Sequence, residues 1–253
     1  MILLFDIGNT NTHLGLASAD HVVKQKSIPT ASLFGGLAEK LIMGFVGQRK
    51  ISHVALCSVV PRATPRVHSF CRNIWDIKCL KLTHKTVRGV GIDYPKPETI
   101  GPDRLANALA ARIHFGAPAV VVDFGTAVTF DVVDARGNYV GGIIAPGLAA
   151  MTDYLHEKTA LLPKITMREV RAVVGKDTRQ AMLIGAVHGY RGLVRQLVLE
   201  LKTHLACETL PVIATGGYAK LIAAKLPEIT AVEPLLTLEG LRLFLENGGM
   251  PIN

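Results

Sequence analysis

The chain has 253 residues, of which 49% are hydrophobic and 19% charged, a composition that excludes a disordered chain and suits a globular enzyme. Residues 1–5 lead directly into Asp6 without the basic region of a signal peptide, and no segment approaches the roughly 20 apolar residues of a membrane span, so a cytoplasmic protein is expected. The formal charge of +8 invites a nucleic-acid partner, but the basic residues are scattered without interleaved aromatic side chains, so we do not expect one.

The first predicted element is a β-hairpin at the start of the chain. Residues 2–5 form an apolar run that ends in Asp6-Ile7-Gly8-Asn9-Thr10, and a second apolar stretch follows at residues 13–17. Glycine lets the backbone approach a phosphate, amides and threonine hydroxyls donate hydrogen bonds to it, and an aspartate at the strand end can orient a hydrated magnesium ion. Taken alone, the segment also fits an ordinary polar turn.

A strand and a helix follow in the first half. Residues 53–60 are strand-like and stop at a proline, and residues 103–114 carry apolar side chains at helical spacing. Asp103, at the start of this helix, has two interpretations: it complements the helix dipole, or it accepts a proton from a substrate hydroxyl. The adjacent Arg104 suits a carboxylate or phosphate, and Asn107 shares the helix face of Asp103.

The pattern of the first hairpin returns near the middle of the chain. Residues 119–122 are apolar and lead into Asp123-Phe124-Gly125-Thr126, before a second apolar stretch at residues 128–133. Two copies at half-chain spacing indicate an internal repeat that handles phosphate. Strands that alternate with helices predict an α/β architecture, with a hinge near residues 115–118 between domains of residues 1–115 and 116–253.

The second half contains two glycine-rich segments and a long helical stretch. Residues 141–147 are interpreted either as a tight turn beside a strand or as a ligand-facing loop, and Gly216-Gly217 either as a turn or as a platform under adenine. Residues 177–201 are predicted to form one or two amphipathic helices. The four cysteines lack paired CxxC spacing, so we interpret them as reduced packing thiols.

Six ordered motifs together resemble the motif set of type III pantothenate kinases. They are Asp6-Ile7-Gly8-Asn9-Thr10, Ser58-Val59-Val60-Pro61, Tyr94-Pro95-Lys96-Pro97, Gly101-Pro102-Asp103-Arg104, Asp123-Phe124-Gly125-Thr126-Ala127 and Gly141-Gly142-Ile143-Ile144-Ala145-Pro146-Gly147. The resemblance implies an α/β fold of two actin-like (ribonuclease H-like) domains with a cleft between them. It also implies a homodimer that phosphorylates pantothenate with ATP, giving 4'-phosphopantothenate in the first step of coenzyme A synthesis.

The same resemblance implies the site residues. ATP would be bound, together with Mg²⁺, by Asp6, Ile7, Gly8, Asn9, Thr10, Asn11, Thr12, His13 and Thr126. Pantothenate would be bound by Tyr94, Gly101, Pro102, Asp103, Arg104 and Thr178, with Asp103 as the proton acceptor. Asp123 would bind a monovalent cation, potassium or ammonium.

Several alternatives stay open beside this assignment. Thr178 could instead be the N-cap of the long helix, and Pro102 departs from the small residue that is usual at its position. The two hairpins specify phosphate handling but not the acceptor, so a sugar kinase or a phosphatase of the same superfamily is the enzymatic alternative. A regulatory protein built on a kinase fold is the non-enzymatic one, against which the acidic residues Asp6, Asp103 and Asp123 argue.

The helical stretch after Thr178 carries an apolar face with small residues that permit close helix approach. Such a face either packs within its own domain or forms an isologous two-fold interface in the expected homodimer. The residues of this face are Ala181, Met182, Ile184, Gly185, Val187 and His188.

Overall fold

A computed structural model describes residues 1–249 of the chain, which divide into two compact units. The first unit contains Met1–His114, Gly137–Val140 and the described residues from Leu235 onward, and the second contains Phe115–Arg136 and Gly141–Pro234. The strands are β1 (Ile2–Ile7), β2 (Asn11–Ala17), β3 (Val22–Pro29), β4 (His53–Ser58), β5 (Leu80–Lys81), β6 (Gly91–Ile92), β7 (Ala119–Phe124), β8 (Ala127–Val133), β9 (Asn138–Pro146), β10 (Val212–Thr215) and β11 (Ala231–Val232). The α-helices are α1 (Leu37–Val46), α2 (Thr64–Trp75), α3 (Pro102–Phe115), α4 (Leu148–Lys158), α5 (Thr178–His204), α6 (Ala219–Ala223) and α7 (Leu236–Phe244). Short 3-10 turns occur at Thr30–Phe34 and Pro97–Thr99, and a π-type turn at Leu245–Gly249.

The sheet of the first unit has five strands in the order β3-β2-β1-β4-β5. The strands β1, β2 and β3 form an antiparallel meander, whereas β4 and β5 join in parallel. Parallel neighbours need a crossover connection, and α2 supplies it between β4 and β5. Leu3, Leu4 and Phe5 of β1 are fully buried, because the central strand of such a sheet is covered on both faces.

The C-terminal helix α7 belongs to the first unit, whereas the sequence-based division assigned all of residues 116–253 to a second domain. It packs against β1, β2 and β4, with Leu241 fully buried. Glu239 of this helix accepts a hydrogen bond from the N–H of Val22 over 2.6 Å. The division differs because this late helix buries its apolar face on the first sheet.

The second sheet has six strands in the order β6-β9-β8-β7-β10-β11, and the five strands from β9 to β11 repeat the order of the first sheet. The strands β7 and β8 form an antiparallel hairpin, and β10 and β11 join in parallel. The β7–β8 hairpin therefore has the topological position that the β1–β2 hairpin has in the first unit. The predicted internal repeat is confirmed at the level of topology.

Strand β9 runs through the glycine pair of residues 141–147. Gly141 and Gly142 lie inside the strand, and Gly141 has φ +134°. The interpretation of this segment as a tight turn is therefore wrong. The strand begins in the first unit, where Asn138 and Tyr139 pair in parallel with Gly91 and Ile92 of β6.

The long helical stretch forms one helix, α5, of 27 residues. Within the described residues 1–249, no helix combines the length and the hydrophobicity needed to cross a membrane. All four cysteines are free thiols, and three of them are buried, as expected for packing residues.

Candidate active site

The first hairpin presents a polar turn at the carboxyl end of β1. The N–H of Gly8 donates to the carbonyl oxygen of Asn11 over 3.0 Å and closes the turn. Asn9, Thr10 and Asn11 are exposed. The turn therefore offers backbone and side-chain donors of the kind that bind phosphate.

Two residues of the same segment support the turn from inside. Ile7 and Thr12 are fully buried, and Thr12 Oγ1 lies 2.9 Å from Thr30 Oγ1. The hydroxyl of Thr30 donates its single proton to the carbonyl oxygen of Gly8 over 2.6 Å, so Thr12 must be the donor of the threonine pair. Thr30, which sequence reasoning missed, thus fastens the turn to the end of β3. Ile7 and Thr12 remain candidates for ATP contact through their backbone atoms.

Asp6 lies between two neighbouring strands, opposite His13 of β2 and Cys57 of β4. The Sγ–H of the fully buried Cys57 donates to Asp6 Oδ1 over 3.4 Å. Burial raises the pKa of the Cys57 thiol well above its usual value, and the nearby carboxylates of Asp6 and Asp103 raise it further, so the thiol keeps its proton. Burial lowers the pKa of His13 and favours its neutral form. Sequence reasoning assigned no contact to Cys57.

Asp103 lies in the first turn of α3. Pro102 is the first residue of this helix, where the missing N–H of proline costs nothing, so its departure from a small residue is compatible with the helix start. One carboxylate oxygen of Asp103 accepts a hydrogen bond from the N–H of Arg104 over 2.9 Å, and the carbonyl oxygen of Gly101 accepts from the N–H of Leu105 over 3.2 Å. Burial raises the pKa of Asp103, although the backbone hydrogen bond and the charge of Arg104 lower it in part. The carboxylate is therefore a stronger base than an ordinary exposed aspartate.

Asn107 lies one turn beyond Asp103 in α3. It is almost fully buried, and its Oδ1 accepts a hydrogen bond from Thr237 Oγ1 over 2.8 Å. The contact ties α3 to α7 within the first unit. Asn107 therefore has a packing role, and its place in the site stays a prediction.

Arg104 and Tyr94, both predicted to bind pantothenate, contact the same side chain, Tyr139, which the sequence analysis did not single out. The guanidinium carbon of Arg104 lies 5.6 Å from the ring centroid of Tyr139, and the ring of Tyr94 packs edge-on against Tyr139 at 6.1 Å. Tyr139 is fully buried. No motif marks Tyr139 in the sequence, because it lies in a strand more than thirty residues after either partner.

The second hairpin is closely approached by two glycines of its own unit. The N–H of Gly147 donates to the carbonyl oxygen of Thr126 over 3.2 Å, and a Cβ on Gly147 would lie 2.2 Å from that oxygen. Gly216 has φ +87°, and a Cβ there would lie 2.5 Å from Asp123 Oδ1. The β7–β8 turn, the N-terminus of α4 and the loop after β10 therefore surround the half-buried Asp123 and the exposed Thr126. Such closely packed backbone is suited to phosphate.

Thr178 is the first residue of α5 but not its N-cap. Asp177 has that position, and its Oδ1 accepts a hydrogen bond from the N–H of Gln180 over 2.8 Å. The N-cap interpretation of Thr178 is therefore wrong. Its exposed side chain remains a candidate for substrate contact.

The apolar face predicted on α5 is partly covered by the preceding segment of the chain. Val187 is fully buried, and Nε2 of His188 lies 3.0 Å from the carbonyl oxygen of Val170. In the same segment Val173 and Val174 are exposed, with 78% and 65% of their surface accessible. The structure therefore supports internal packing for one part of this face and leaves apolar side chains exposed beside it.

Comparison with known proteins identifies the family. A family model for type III pantothenate kinases matches residues 2–200. The chain belongs to the type III pantothenate kinase family. It is 44% identical to a type III pantothenate kinase of Akkermansia muciniphila, covering 95% of this chain and 96% of the relative. A second relative of the same name, from Methylacidiphilum infernorum, is 40% identical, with 97% and 88% covered. The resemblance drawn from the six motifs is confirmed, and the pantothenate kinase assignment replaces the regulatory alternative.

Two solved structures share the fold of this pantothenate kinase. The ethanolamine utilization protein EutJ from Carboxydothermus hydrogenoformans aligns with a TM-score of 0.53 at 15% identity, covering 96% of this chain and 89% of the other. MreB 5 of Spiroplasma citri bound to AMPPNP aligns with a TM-score of 0.51 at 11% identity, covering 97% and 96%. At such low identity the likeness shows the fold alone, and it confirms the predicted actin-like α/β fold.

A pantothenate kinase uses ATP, which brings Mg²⁺ with it. Among residues 1–249, no group of three or more His, Cys, Asp and Glu side chains is arranged to hold a metal. Magnesium is usually bound through one or two carboxylates together with substrate phosphates. The single carboxylate of Asp6, near the end of β1, therefore fits an ion that arrives with the nucleotide.

Proposed function

We propose that this chain transfers the γ-phosphoryl group of ATP to the primary hydroxyl of pantothenate, with Asp103 as the proton acceptor. The product would be 4'-phosphopantothenate, formed in the first step of coenzyme A synthesis in the cytoplasm. Family membership supports the reaction. The role of Asp103 is supported by its position at the start of α3, where the carboxylate is half-buried and burial raises its pKa.

The hairpin turns supply the ATP contacts in this proposal. The residues of the first turn, Gly8 to Asn11, donate to phosphate oxygens through amides and side chains, and Thr126 does so in the second turn. Asp6, oriented by the Cys57 thiol, would hold Mg²⁺, which when bound neutralises charge on the phosphate oxygens. The neutral His13 beside Asp6 contributes a hydrogen bond rather than a charge.

In the proposed transfer, the pantothenate hydroxyl oxygen forms a bond to the γ-phosphorus as the bond from that phosphorus to the bridging oxygen of ADP breaks. Asp103 takes up the hydroxyl proton. Phosphoryl transfer has a loose transition state, so positioning and charge neutralisation matter more than the strength of the base. A carboxylate held in one place by the N–H of Arg104 meets that requirement.

Pantothenate would be held by the residues around Tyr139. The guanidinium of Arg104 suits the pantothenate carboxylate, since charged and planar donors bind carboxylates strongly. Tyr94 and the loop of Gly101 and Pro102 would contact the rest of the molecule. Thr178 would contribute a hydroxyl.

A direct assay tests the function together with the proposed cation site at Asp123. We expect ATP-dependent formation of phosphopantothenate in potassium or ammonium buffer and a much lower rate in sodium, because coordination number and cavity size select the ion. Mass spectrometry of the product, with ADP release measured in parallel, provides the readout. The variant Asp123→Asn should reduce the difference between potassium and sodium.

The cation site and the identity of the acceptor are each contradicted by a different result. Equal rates in potassium-only and sodium-only buffers would remove the cation from Asp123. Transfer to glucose but not to pantothenate would favour the sugar-kinase alternative.

We also propose a homodimer that includes the first turns of α5 and the adjoining Val173 and Val174. Replacing Val173 with Asp would bring like charges together across a two-fold interface, so the dimer should dissociate and pantothenate turnover should fall. Because Val173 is 78% exposed, the monomer should still fold. The variant Ile184→Asp tests the helix itself, although Ile184 is half-buried.

Analytical ultracentrifugation of wild type and variants measures this dissociation. Val23→Asp is the matched control, since Val23 is 47% exposed on β3 of the first unit and should leave the dimer intact. A wild-type protein that is monomeric at micromolar concentration and fully active would contradict the proposal.

A further inference from the structure

Tyr139 contacts the candidate pantothenate site in three ways. Its ring lies under the guanidinium of Arg104 at 5.6 Å and against the ring of Tyr94 at 6.1 Å. Its carbonyl oxygen accepts a hydrogen bond from the N–H of Asp93 over 3.0 Å, one residue before Tyr94. The backbone and the side chain of Tyr139 thus contact both Arg104 and the loop that carries Tyr94.

Arg104 and Tyr94 contact Tyr139 from different elements of the first unit. Arg104 belongs to the first turn of α3, whereas Tyr94 lies in the loop that follows β6. The strand β6 has only two residues, Gly91 and Ile92, and its parallel partners are Asn138 and Tyr139. The position of the Tyr94 loop therefore depends on the strand segment that carries Tyr139.

The burial of Tyr139 makes its contacts specific. The side chain is fully buried, whereas Tyr94 and Arg104 are only half-buried. A buried aromatic ring has few alternative rotamers, and its face attracts a cation most strongly where water is excluded. The ring can therefore hold the guanidinium plane and the Tyr94 ring in one mutual arrangement.

We propose that Tyr139 is a positioning residue that joins Arg104 and Tyr94 into one pantothenate subsite and so sets the affinity for pantothenate without affecting that for ATP. This inference rests on the proposed function. Tyr139 itself is buried and is not proposed to touch either substrate. Its effect is transmitted through the orientation of Arg104 and of the Tyr94 loop.

The test compares removal of the ring with removal of the hydroxyl alone. Tyr139→Leu should raise the KM for pantothenate about tenfold or more while leaving the KM for ATP within about twofold, because misplaced binding groups lose substrate affinity locally. Tyr139→Phe keeps the ring and should restore a KM for pantothenate close to that of wild type. A purely structural role would move the melting temperature without separating the two KM values.

Phe45→Leu is the matched control. Phe45 is also a buried ring of the first unit with a cation over its face, since Lys24 Nζ lies 4.9 Å from its centroid. Its replacement should lower the melting temperature while leaving both KM values unchanged. Equal effects of Phe45→Leu and Tyr139→Leu on the KM for pantothenate would overturn the proposal.

A second variant covers the case in which Tyr139→Leu does not fold. Trifluorophenylalanine at position 139 keeps the shape of phenylalanine but withdraws charge from the ring face, which weakens its attraction for a cation. We expect a KM for pantothenate that is severalfold above that of Tyr139→Phe. Identical KM values for these two variants, or a folded Tyr139→Leu with a normal KM for pantothenate, would overturn the role of Tyr139. Failure of wild type to phosphorylate pantothenate would instead overturn the proposed function itself.

Discussion

Replacement of Asp103 by Asn is expected to lower kcat about 100-fold or more and to leave the fold intact. The variant removes the proton acceptor, and positioned acid–base groups contribute about 10² to 10⁴ in rate. The amide oxygen of Asn can still accept the hydrogen bond from the N–H of Arg104, and Asn is well tolerated at a helix start. Because burial disfavours the charge of Asp103, the neutral variant should melt at or above the wild-type temperature.

The pH dependence of the same variant provides the control. A base must be deprotonated to act, so wild-type activity should fall as the pH decreases through the pKa of Asp103. Since burial raises that pKa, the acidic limb should lie above the range of an ordinary aspartate. Initial rates between acidic and neutral pH, at saturating ATP, measure it. Turnover by a folded Asp103→Asn protein that equals wild type at all pH values would remove Asp103 from the mechanism.

Replacement of Gly216 by Ala is expected to have the largest effect on stability. Gly216 has φ +87°, and a Cβ there would lie 2.5 Å from Asp123 Oδ1 and 2.7 Å from backbone atoms of Phe124. Left-handed backbone costs a non-glycine residue about 1–2 kcal/mol, and overpacking adds about 1–3 kcal/mol. We therefore expect a loss of about 3 kcal/mol in the free energy of unfolding and a melting temperature lower by roughly 6–12 °C. The KM for ATP should rise, because Asp123 and the β7–β8 turn must shift.

Gly217→Ala is the matched control one residue later. No atom lies within 4 Å of a Cβ built on Gly217, so this variant should melt like wild type. Thermal unfolding and ATP kinetics on both variants separate the effects. A raised KM for ATP in a fully stable Gly217→Ala protein would favour the adenine platform over a simple turn at this pair. A Gly216→Ala protein as stable as wild type would show that the close approach to Asp123 is not required.

The sequence alone predicted the elements whose signals are short-range. Each of the two hairpins is marked within about fifteen residues by an apolar run, an aspartate and a glycine turn, and the start of α3 is marked by Pro102 and Asp103. The repeat of the hairpin at half-chain spacing predicted a duplicated architecture, and five strands of the second sheet have the strand order of the first. The order of six such local motifs predicted the family, which the family model over residues 2–200 confirms. Periodicity and turn chemistry are properties of neighbouring residues, so they can be recognised without the fold.

Only the tertiary structure decided which polar side chains meet. Thr12 bonds Thr30 across 18 positions, and Thr237 bonds Asn107 across 130. Tyr139 contacts Tyr94 and Arg104 for the same reason, and α7 packs on the first sheet although it follows the second in sequence. A pattern of burial specifies which face of an element is apolar, but many partners could cover that face equally well. The partner is selected by strand register and by close packing of the whole domain, and neither is encoded within one local segment.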